Sequence, residues 1–370
     1  MKWLALPIAI LFLSCCVENT ELSVPNSIGE VVQIASADGS IVLRPTMKYD
    51  IFECMLIAVG SDADFVASGG SFLSEEGLRF QSFARERISD ELAEDIKQYI
   101  MFDGELRPTD HHIWPQLMRN CPTTNNIEEI TDYINDIERW FPEIVESSFM
   151  RYKEEIVETV EKFWNEIFYD YYSDLYPKIV GYCKEAIKEV DHIIDGRFSS
   201  VGILGFMEEW SGHRFERRVR MVLYPNPFRM MGAYAVEEPG DPFVTSVKIT
   251  EPVDEWITTP FHEFSHILLR DVFYSMGFRG IANNIEPTEY DESLFHWYGD
   301  MRGVIEEYCA AAFDIFLQVK AGFIEESKAL QYHYYRTDLC LDLTEYLLKN
   351  HGPGKDIGET FLEFLRSRTG

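Results

Sequence analysis

Basic residues are scarce in this 370-residue chain, which has 33 lysines and arginines against 63 aspartates and glutamates. The formal net charge is −30. A surface this acidic repels phosphate backbones, so we do not expect nucleic acid as a partner. The charge is explained most simply by solubility, because similarly charged molecules repel one another.

The sequence also lacks the C-x-x-C motif of many metal and redox sites. The cysteines that follow the N-terminal segment are odd in number and widely scattered: Cys54, Cys121, Cys183, Cys309 and Cys340. They form no recognisable disulfide framework. We expect most of them to be buried free thiols, while one or two disulfides stay open in an oxidising compartment.

Long apolar runs are missing after the N-terminus. No later segment reaches the run of about 18 apolar residues that a membrane-spanning helix needs. At the N-terminus itself, Met1-Lys2 precedes an apolar run over residues 3–13, which is too short to span a bilayer. This pattern predicts a signal peptide over residues 1–16.

Two cysteines follow the apolar run directly, an arrangement that resembles a bacterial lipobox. The spacing from Leu13 favours Cys16 as the lipidated residue, whereas Ser14 immediately before Cys15 favours Cys15. We therefore predict a lipid-anchored protein of the bacterial cell envelope, with a membrane as its partner. A secreted protein is the alternative if no lipid is attached.

Most of the chemistry lies in one pentapeptide, His262-Glu263-Phe264-Ser265-His266, which has the pattern H-E-x-x-H. Residues four apart on an α-helix lie on the same face, so both imidazoles can bind one metal ion. Zinc lowers the pKa of a bound water from about 15.7 toward about 7, and a neighbouring carboxylate can accept its proton. We predict Glu263 as this general base, in a zinc-dependent hydrolase.

The sequence around the box predicts the helix that carries it. Thr258 or Thr259 is the predicted N-cap, Pro260 suits the first turn, and Gly277 is the predicted stop. The competing interpretation is that the two histidines are only exposed or packed on a helix.

A third protein ligand is needed, and no histidine follows the box at the spacing that metzincins have. Two acids stand in a downstream helix of small apolar residues. We prefer Glu307, because the residues three and four positions away include Gly303 and Ala310, which let two helices approach closely. Glu306 is the alternative ligand.

These motifs resemble those of gluzincin zinc metallopeptidases, in which a glutamate on a second helix completes the site. Glu307 to Ala310 is similar to the E-x-x-A signature of that helix in several gluzincin families. Ala311 stands where an aspartate often follows, which removes one candidate for orienting the ligands. The resemblance implies one Zn²⁺ per chain, held by His262, His266 and Glu307.

A narrower resemblance concerns a bacterial family of predicted zincin lipoproteins, classed as a domain of unknown function. The segment over residues 47–57 is similar to the early part of that family, and a strand and the H-E-F-S-H helix follow much later. This likeness spans most of the mature chain. It implies a predicted peptidase activity and no particular substrate.

Periodicity indicates an α-rich α+β protein with an N-terminal helical region and a C-terminal catalytic region. The predicted boundaries are a signal peptide over 1–16, a tether and first strand over 17–40, a mostly helical region over 41–200 and a zincin-like region over 201–370. The predicted helices cover 49–59, 71–85, 90–101 and much of 127–190, and a loop is expected over 103–126. The predicted strands are 30–35, 41–43, 218–224, 230–236 and 242–249, the last three forming a small antiparallel sheet beside the H-E-x-x-H helix.

Substrate contacts follow from the resemblance to zincins, where an edge strand receives the peptide as an added strand. Gly232, Ala233 and Tyr234 are the predicted peptide-binding positions, although an ordinary interior strand is an equal alternative. His333 and Tyr334 are candidates for stabilising the developing charge of the reaction.

The predicted function is that of a membrane-anchored zinc metallopeptidase that cleaves a peptide or protein substrate. Two other classes stay open. One is a non-catalytic zincin-fold lipoprotein that binds peptide, glycan or a partner protein, and the other is a metal-dependent hydrolase of non-peptide amides.

Overall fold

We describe the chain from a computed structural model. The described residues are 24–60, 73–100, 113–142, 148–198, 201–215, 219–228, 235–239, 241–249, 252–285, 295, 300–333 and 335–368. The predicted signal peptide, with Cys15 and Cys16, lies outside them. Within these ranges no helix has the length and apolar character required to cross a membrane.

Helices make up most of the structure. Those before the sheet strands of the second half are α1 (Met47–Val59), α2 (Glu75–Arg85), α3 (Asp90–Asp95), α4 (Ile113–Met118), α5 (Ile127–Asn135), α6 (Ser148–Arg151), α7 (Lys153–Phe163), α8 (Tyr169–Arg197) and α9 (Gly202–Ser211). Those after them are α10 (Val253–Leu268), α11 (Arg270–Tyr274), α12 (Met276–Ala282), α13 (Met301–Lys320), α14 (Asp338–Asn350) and α15 (Ile357–Arg368). Short 3₁₀ segments lie at Ile137–Arg139 and Glu326–Gln331, and π-helical turns lie at Ile96–Ile100 and Trp164–Phe168.

The helices predicted for the first half are confirmed, with shifts of a few residues at their ends. The N-terminus of α1 is fixed by Thr46, whose side chain accepts a hydrogen bond from the Lys48 amide. Ser74 and Ser89 cap α2 and α3 in the same way. Serine and threonine caps of this kind satisfy amide groups that the first helical turn leaves without partners.

The predicted loop over residues 103–126 is partly wrong, because α4 forms inside it. Pro115 is the third residue of α4. Proline is tolerated in a first turn, where its missing N–H would have no helical partner in any case.

The sheet has five strands: β1 (Ile34–Ala35), β2 (Ile41–Leu43), β3 (Met221–Asn226), β4 (Ala235–Glu238) and β5 (Asp241–Lys248). Their order is β1-β2-β3-β5-β4. β2 and β5 both run parallel to β3, while β1 and β4 run antiparallel to their neighbours.

The sheet is therefore mixed, and the predicted antiparallel arrangement is wrong. Two pairings that local sequence cannot reveal cause the difference. β2, which was predicted as a strand over 41–43 but not as part of this sheet, lies alongside β3, and β5 inserts between β3 and β4. Parallel pairs need long connections, so hairpin signals in the sequence do not indicate them.

Pro225 lies inside β3, where the sequence predicted a break between strands. The Leu223 carbonyl accepts from the Arg44 amide just after β2 ends. Backbone groups of alternate strand residues point to the same side, so those of Pro225 and Leu223 both point toward the side of β2. Pro225 lies beyond the end of β2, so the N–H that proline lacks has no ladder partner there.

The two regions of the chain share one hydrophobic core, which extends from Ile41 in β2 to Leu365 in α15. The five cysteines from Cys54 to Cys340 are buried in the protein and free, which confirms the expectation of buried thiols. The sheet and α10 meet through Trp256, whose indole N–H donates to the Lys248 carbonyl at 2.7 Å. This contact fixes the helix that carries the H-E-x-x-H box against the end of β5.

Candidate metal centre

The helix that carries the box, α10, begins earlier than predicted. It starts at Val253, and neither Thr258 nor Thr259 caps it. Pro260 lies within the helix, where it cannot donate the usual bond to the residue four positions earlier. Burial of Val253 and of the fully buried Trp256 stabilises the additional turns.

The predicted stop at Gly277 is also wrong. α10 ends at Leu268, the chain turns at Leu269, and α11 and α12 follow, with Gly277 as the second residue of α12. The apolar periodicity of α10 continues past Leu268 because Val272 and Phe273 are buried on the next helix. A turn between two consecutive helices hardly interrupts this periodicity, so the sequence does not show where α10 ends.

The second helix of the site is α13, which starts at its N-cap Asp300. The Asp300 side chain accepts from the Gly303 amide at 2.7 Å. Gly303, Ala310 and Ala311 are buried, as expected for a helix that packs closely against another. This packing places Glu307 against α10.

His262, His266 and Glu307 form a group that could hold a metal ion, and their donor atoms all lie within 4.8 Å of one another. His262 Nε2 is 3.0 Å from one carboxylate oxygen of Glu307, and His266 Nε2 is 3.4 Å from the other. The two imidazole Nε2 atoms are 3.4 Å apart. Both imidazoles therefore point toward the same place, as the helical spacing predicted.

Glu307, the preferred third ligand, is the acid that joins this group. Its side chain is 7% exposed, whereas that of Glu306 is 20% exposed. Glu306 lies 3.5 Å from His266 Nδ1, the ring nitrogen that does not face Glu307. Glu306 is thus placed to orient the imidazole from behind.

The charges of the group are strongly coupled. Burial opposes ionisation of Glu307, but His262 and His266 outweigh it and hold the pKa of the carboxyl well below its ordinary value. Burial also opposes protonation of the imidazoles. Nevertheless Glu307 raises the pKa of His262, and Glu306 together with Glu307 raises the pKa of His266 to about 10. A metal ion that binds here must displace protons from the imidazoles.

Glu263, the predicted general base, is half-buried on α10 beside the first ligand. Its charge contributes to the raised pKa of both His262 and His266, so the carboxylate lies near both rings. This position suits a group that exchanges protons beside a metal.

The side chain of His333 is buried among other side chains. Its Nε2 contacts Thr344 Oγ1 at 2.5 Å, and its Nδ1 contacts Cys340 Sγ at 3.7 Å. Burial and the charge of His262 lower the pKa of His333 to about 4, so the ring is neutral near pH 7. Its catalytic role stays a prediction, as does that of Tyr334, which lies outside the described residues.

Tyr335, the residue after Tyr334, makes a contact with Glu307 that the sequence did not predict. Its hydroxyl donates to Glu307 Oε1 at 2.8 Å. The sequence offers Tyr334 and Tyr335 side by side, and nothing local to them marks Tyr335 as the partner of Glu307. Tyr335 positions the carboxylate of the third ligand.

Asp314 is a second residue that the sequence analysis did not identify. It lies seven positions after Glu307 on α13, two turns along the same face, and it is buried. Gln318 donates to it at 2.9 Å, and burial raises the pKa of Asp314 to about 7. The charge of His262 acts on it, so it lies near the metal centre.

The predicted peptide-binding positions Gly232, Ala233 and Tyr234 lie outside the described residues. The strand that follows them, β4, is the last strand in the order of the described sheet. Among the described strands, β4 pairs on one side, with β5. An edge strand was the premise of the predicted peptide contact, and β4 meets it; the contact itself stays a prediction.

Comparison of the chain with protein-family models, with curated proteins and with solved structures finds no match.

Proposed function

We propose that this protein is a zinc-dependent hydrolase, a membrane-anchored metallopeptidase of the gluzincin type. The observation that carries the proposal is the convergence of His262, His266 and Glu307 from two helices. Two imidazole nitrogens and one carboxylate form a donor set typical of catalytic zinc, which keeps a further position for water or substrate.

The distances between the donors are compatible with one shared metal ion. The two imidazole Nε2 atoms are 3.4 Å apart, close to the edge of about 3.3–3.4 Å expected for ligands about 2.0–2.1 Å from a tetrahedral ion. The imidazoles contact different carboxylate oxygens of Glu307, at 3.0 and 3.4 Å. With one donor atom taken from each residue, the three donors lie within 4.8 Å of one another.

The work of the protein side chains follows from their positions. Zinc held by His262, His266 and Glu307 would supply a water of lowered pKa and would polarise the substrate carbonyl. Glu263 would act as the general base toward the attacking water and would pass the proton to the leaving amine. Tyr335 and Glu306 hold Glu307 and His266 in their binding orientations.

Substrate binding is proposed to use the edge of β4 that no described strand covers, together with the preceding positions Gly232, Ala233 and Tyr234. An extended peptide paired with an edge strand is held through its backbone, which is the general mode of strand addition. The membrane anchor is proposed to be a lipid on Cys16 or Cys15, which places the site in the bacterial cell envelope.

A peptide library tests the activity. We expect the zinc-loaded protein to cleave library members and the Glu263→Gln variant to cleave them at least about a hundredfold more slowly, because general-base catalysis contributes about 10²–10⁴. Zinc content and thermal unfolding provide the control, since both should be unchanged in the variant. Equal turnover by the two proteins would reject the mechanism, and a binding protein would show no cleavage with either.

A further inference from the structure

Two arginines share one exposed tyrosine ring close to the metal centre. The Tyr274 side chain ends α11 and is 56% exposed. The Arg279 guanidinium carbon is 5.0 Å from its ring centroid, and that of Arg302 is 5.5 Å away. These two residues belong to α12 and α13, so three helices contribute to the cluster.

Among the described residues, the charge of this cluster is neutralised by one long ion pair. Within the described ranges Arg279 forms no ion pair, and its Nε atom is buried without a hydrogen-bond partner. Arg302 Nε is 3.8 Å from Asp300 Oδ2, too far for a hydrogen bond. Two guanidinium groups around one ring repel each other, so a bound carboxylate would stabilise the arrangement.

The cluster is linked to the metal centre through both helices. On α13, Arg302 lies one turn before Glu306, which contacts His266. On the other side, the Phe273 ring is 6.2 Å from the His266 ring, and Tyr274 is the next residue.

Arg302 lies on the Glu306 side of α13. The helical rise places it about 7.5 Å before Glu307 along the axis of α13 and about 140° around that axis. The cluster is therefore beside the candidate metal centre, on the side of Glu306.

We propose that Arg279, Arg302 and Tyr274 form a subsite that binds a carboxylate group of the peptide substrate. The carboxylate belongs either to an acidic side chain or to the C-terminus of the peptide. Guanidinium groups match the planar geometry of a carboxylate and can bind both of its oxygens. This inference depends on the proposed peptidase function for its substrate, but a binding assay tests it without turnover.

The assay uses the zinc-loaded full chain with Glu263→Gln and a pool of random hexapeptides, half with free and half with amidated C-termini. Retained peptides are identified by mass spectrometry. We expect one of two enrichments, each about tenfold. Either peptides with Glu or Asp are retained in preference to those with Gln or Asn, or peptides with a free C-terminus are retained in preference to amidated ones. The first enrichment assigns the subsite to an acidic side chain, and the second assigns it to the C-terminal carboxylate.

Arg302→Gln and Arg279→Gln, each added to Glu263→Gln, should abolish the enrichment while zinc content and thermal unfolding are retained. The matched control is Arg87→Gln, because the Arg87 guanidinium also lies over an aromatic ring, 3.8 Å from the centroid of Phe83. Arg87→Gln should leave the enrichment unchanged. If one arginine variant fails to fold, the other carries the test.

The proposal is overturned if no peptide is retained, if acidic and amide peptides are retained equally, or if the enrichment survives in both arginine variants. Cleavage by the protein with Glu263 intact is measured in parallel. Carboxylate-dependent retention without cleavage would refute the proposed peptidase function and leave the subsite standing. Cleavage without a carboxylate preference would refute the subsite alone.

Discussion

The hydrogen bond from Tyr335 to Glu307 gives a sharp test of the metal centre. Tyr335→Phe removes one hydroxyl and leaves the aromatic ring, which packs 5.7 Å from the ring of Tyr308. The lost donor is a charge-assisted bond of 2.8 Å to a carboxylate that is 7% exposed. We therefore expect a change in metal affinity with little change in the fold.

The magnitude follows from the burial of the acceptor. A hydrogen bond to a charged group contributes about 1.5–3 kcal/mol, and loss of a residue that orients a metal ligand commonly weakens metal binding about 10- to 100-fold. These two ranges agree, because about 1.4 kcal/mol corresponds to a tenfold change in the dissociation constant. We predict that Tyr335→Phe weakens zinc binding about 10- to 100-fold.

The measurement is a competition titration of zinc between the protein and a chromophoric chelator at fixed pH. Tyr332→Phe is the matched control, because the same substitution three residues earlier affects a side chain that is 58% exposed. Tyr332→Phe should bind zinc as the unmodified protein does. An affinity of Tyr335→Phe within about twofold of the control would refute the assigned role.

Two further predictions concern the same helices. Glu307→Ala should lower the zinc content of the purified protein more than Glu306→Ala, because Glu307 belongs to the ligand group and Glu306 contacts only the outer nitrogen of His266; the reverse order would exchange their roles. For Asp314, the pKa of about 7 in the folded protein exceeds the ordinary value of 3.8, so the folded state holds the proton more tightly and stability falls as the pH rises from about 4 to about 7. This loss in the free energy of unfolding is at most about 4 kcal/mol. In chelator-treated protein, Asp314→Asn should abolish this loss. Denaturant unfolding should then show the largest stability gain of the variant near pH 8. Parallel stability curves for the two proteins across this pH range would contradict the burial of a carboxyl at Asp314.

The candidate metal-binding group can be predicted from the sequence because its geometry is local. The i, i+4 spacing places His262 and His266 on one face of a helix wherever that helix lies. Glu307 could be chosen over Glu306 because small residues mark the side of α13 that packs closely. Both arguments need only helical periodicity and residue size.

The missed residues depend on contacts between distant parts of the chain. Nothing in the local sequence marks Tyr335 as the partner of Glu307, since this contact joins α13 to the segment that leads into α14. Asp314 carried a signal, an acid two turns after Glu307 in an apolar helix, but its significance depends on the distance to His262. The mixed sheet likewise requires β2 to pair with β3 across most of the chain.

The helix ends show where tertiary packing overrides local signals. Thr258 and Thr259 are good caps by composition, yet α10 starts earlier because Trp256 is buried and bonded to the Lys248 carbonyl. Pro260 is then accommodated within the helix. Burial of a large aromatic side chain contributes more than a cap, which is worth about 1 kcal/mol.

The most direct test of the metal centre is the metal content of the purified protein, measured together with the coordination of the metal by X-ray absorption. We predict one zinc ion per chain, with two imidazole nitrogens and carboxylate or water oxygens at about 2.0–2.2 Å. The double variant His262→Ala, His266→Ala should contain no zinc. A protein without bound metal that also fails to take up added zinc, or a zinc ion bound equally well by the double variant, would contradict the account.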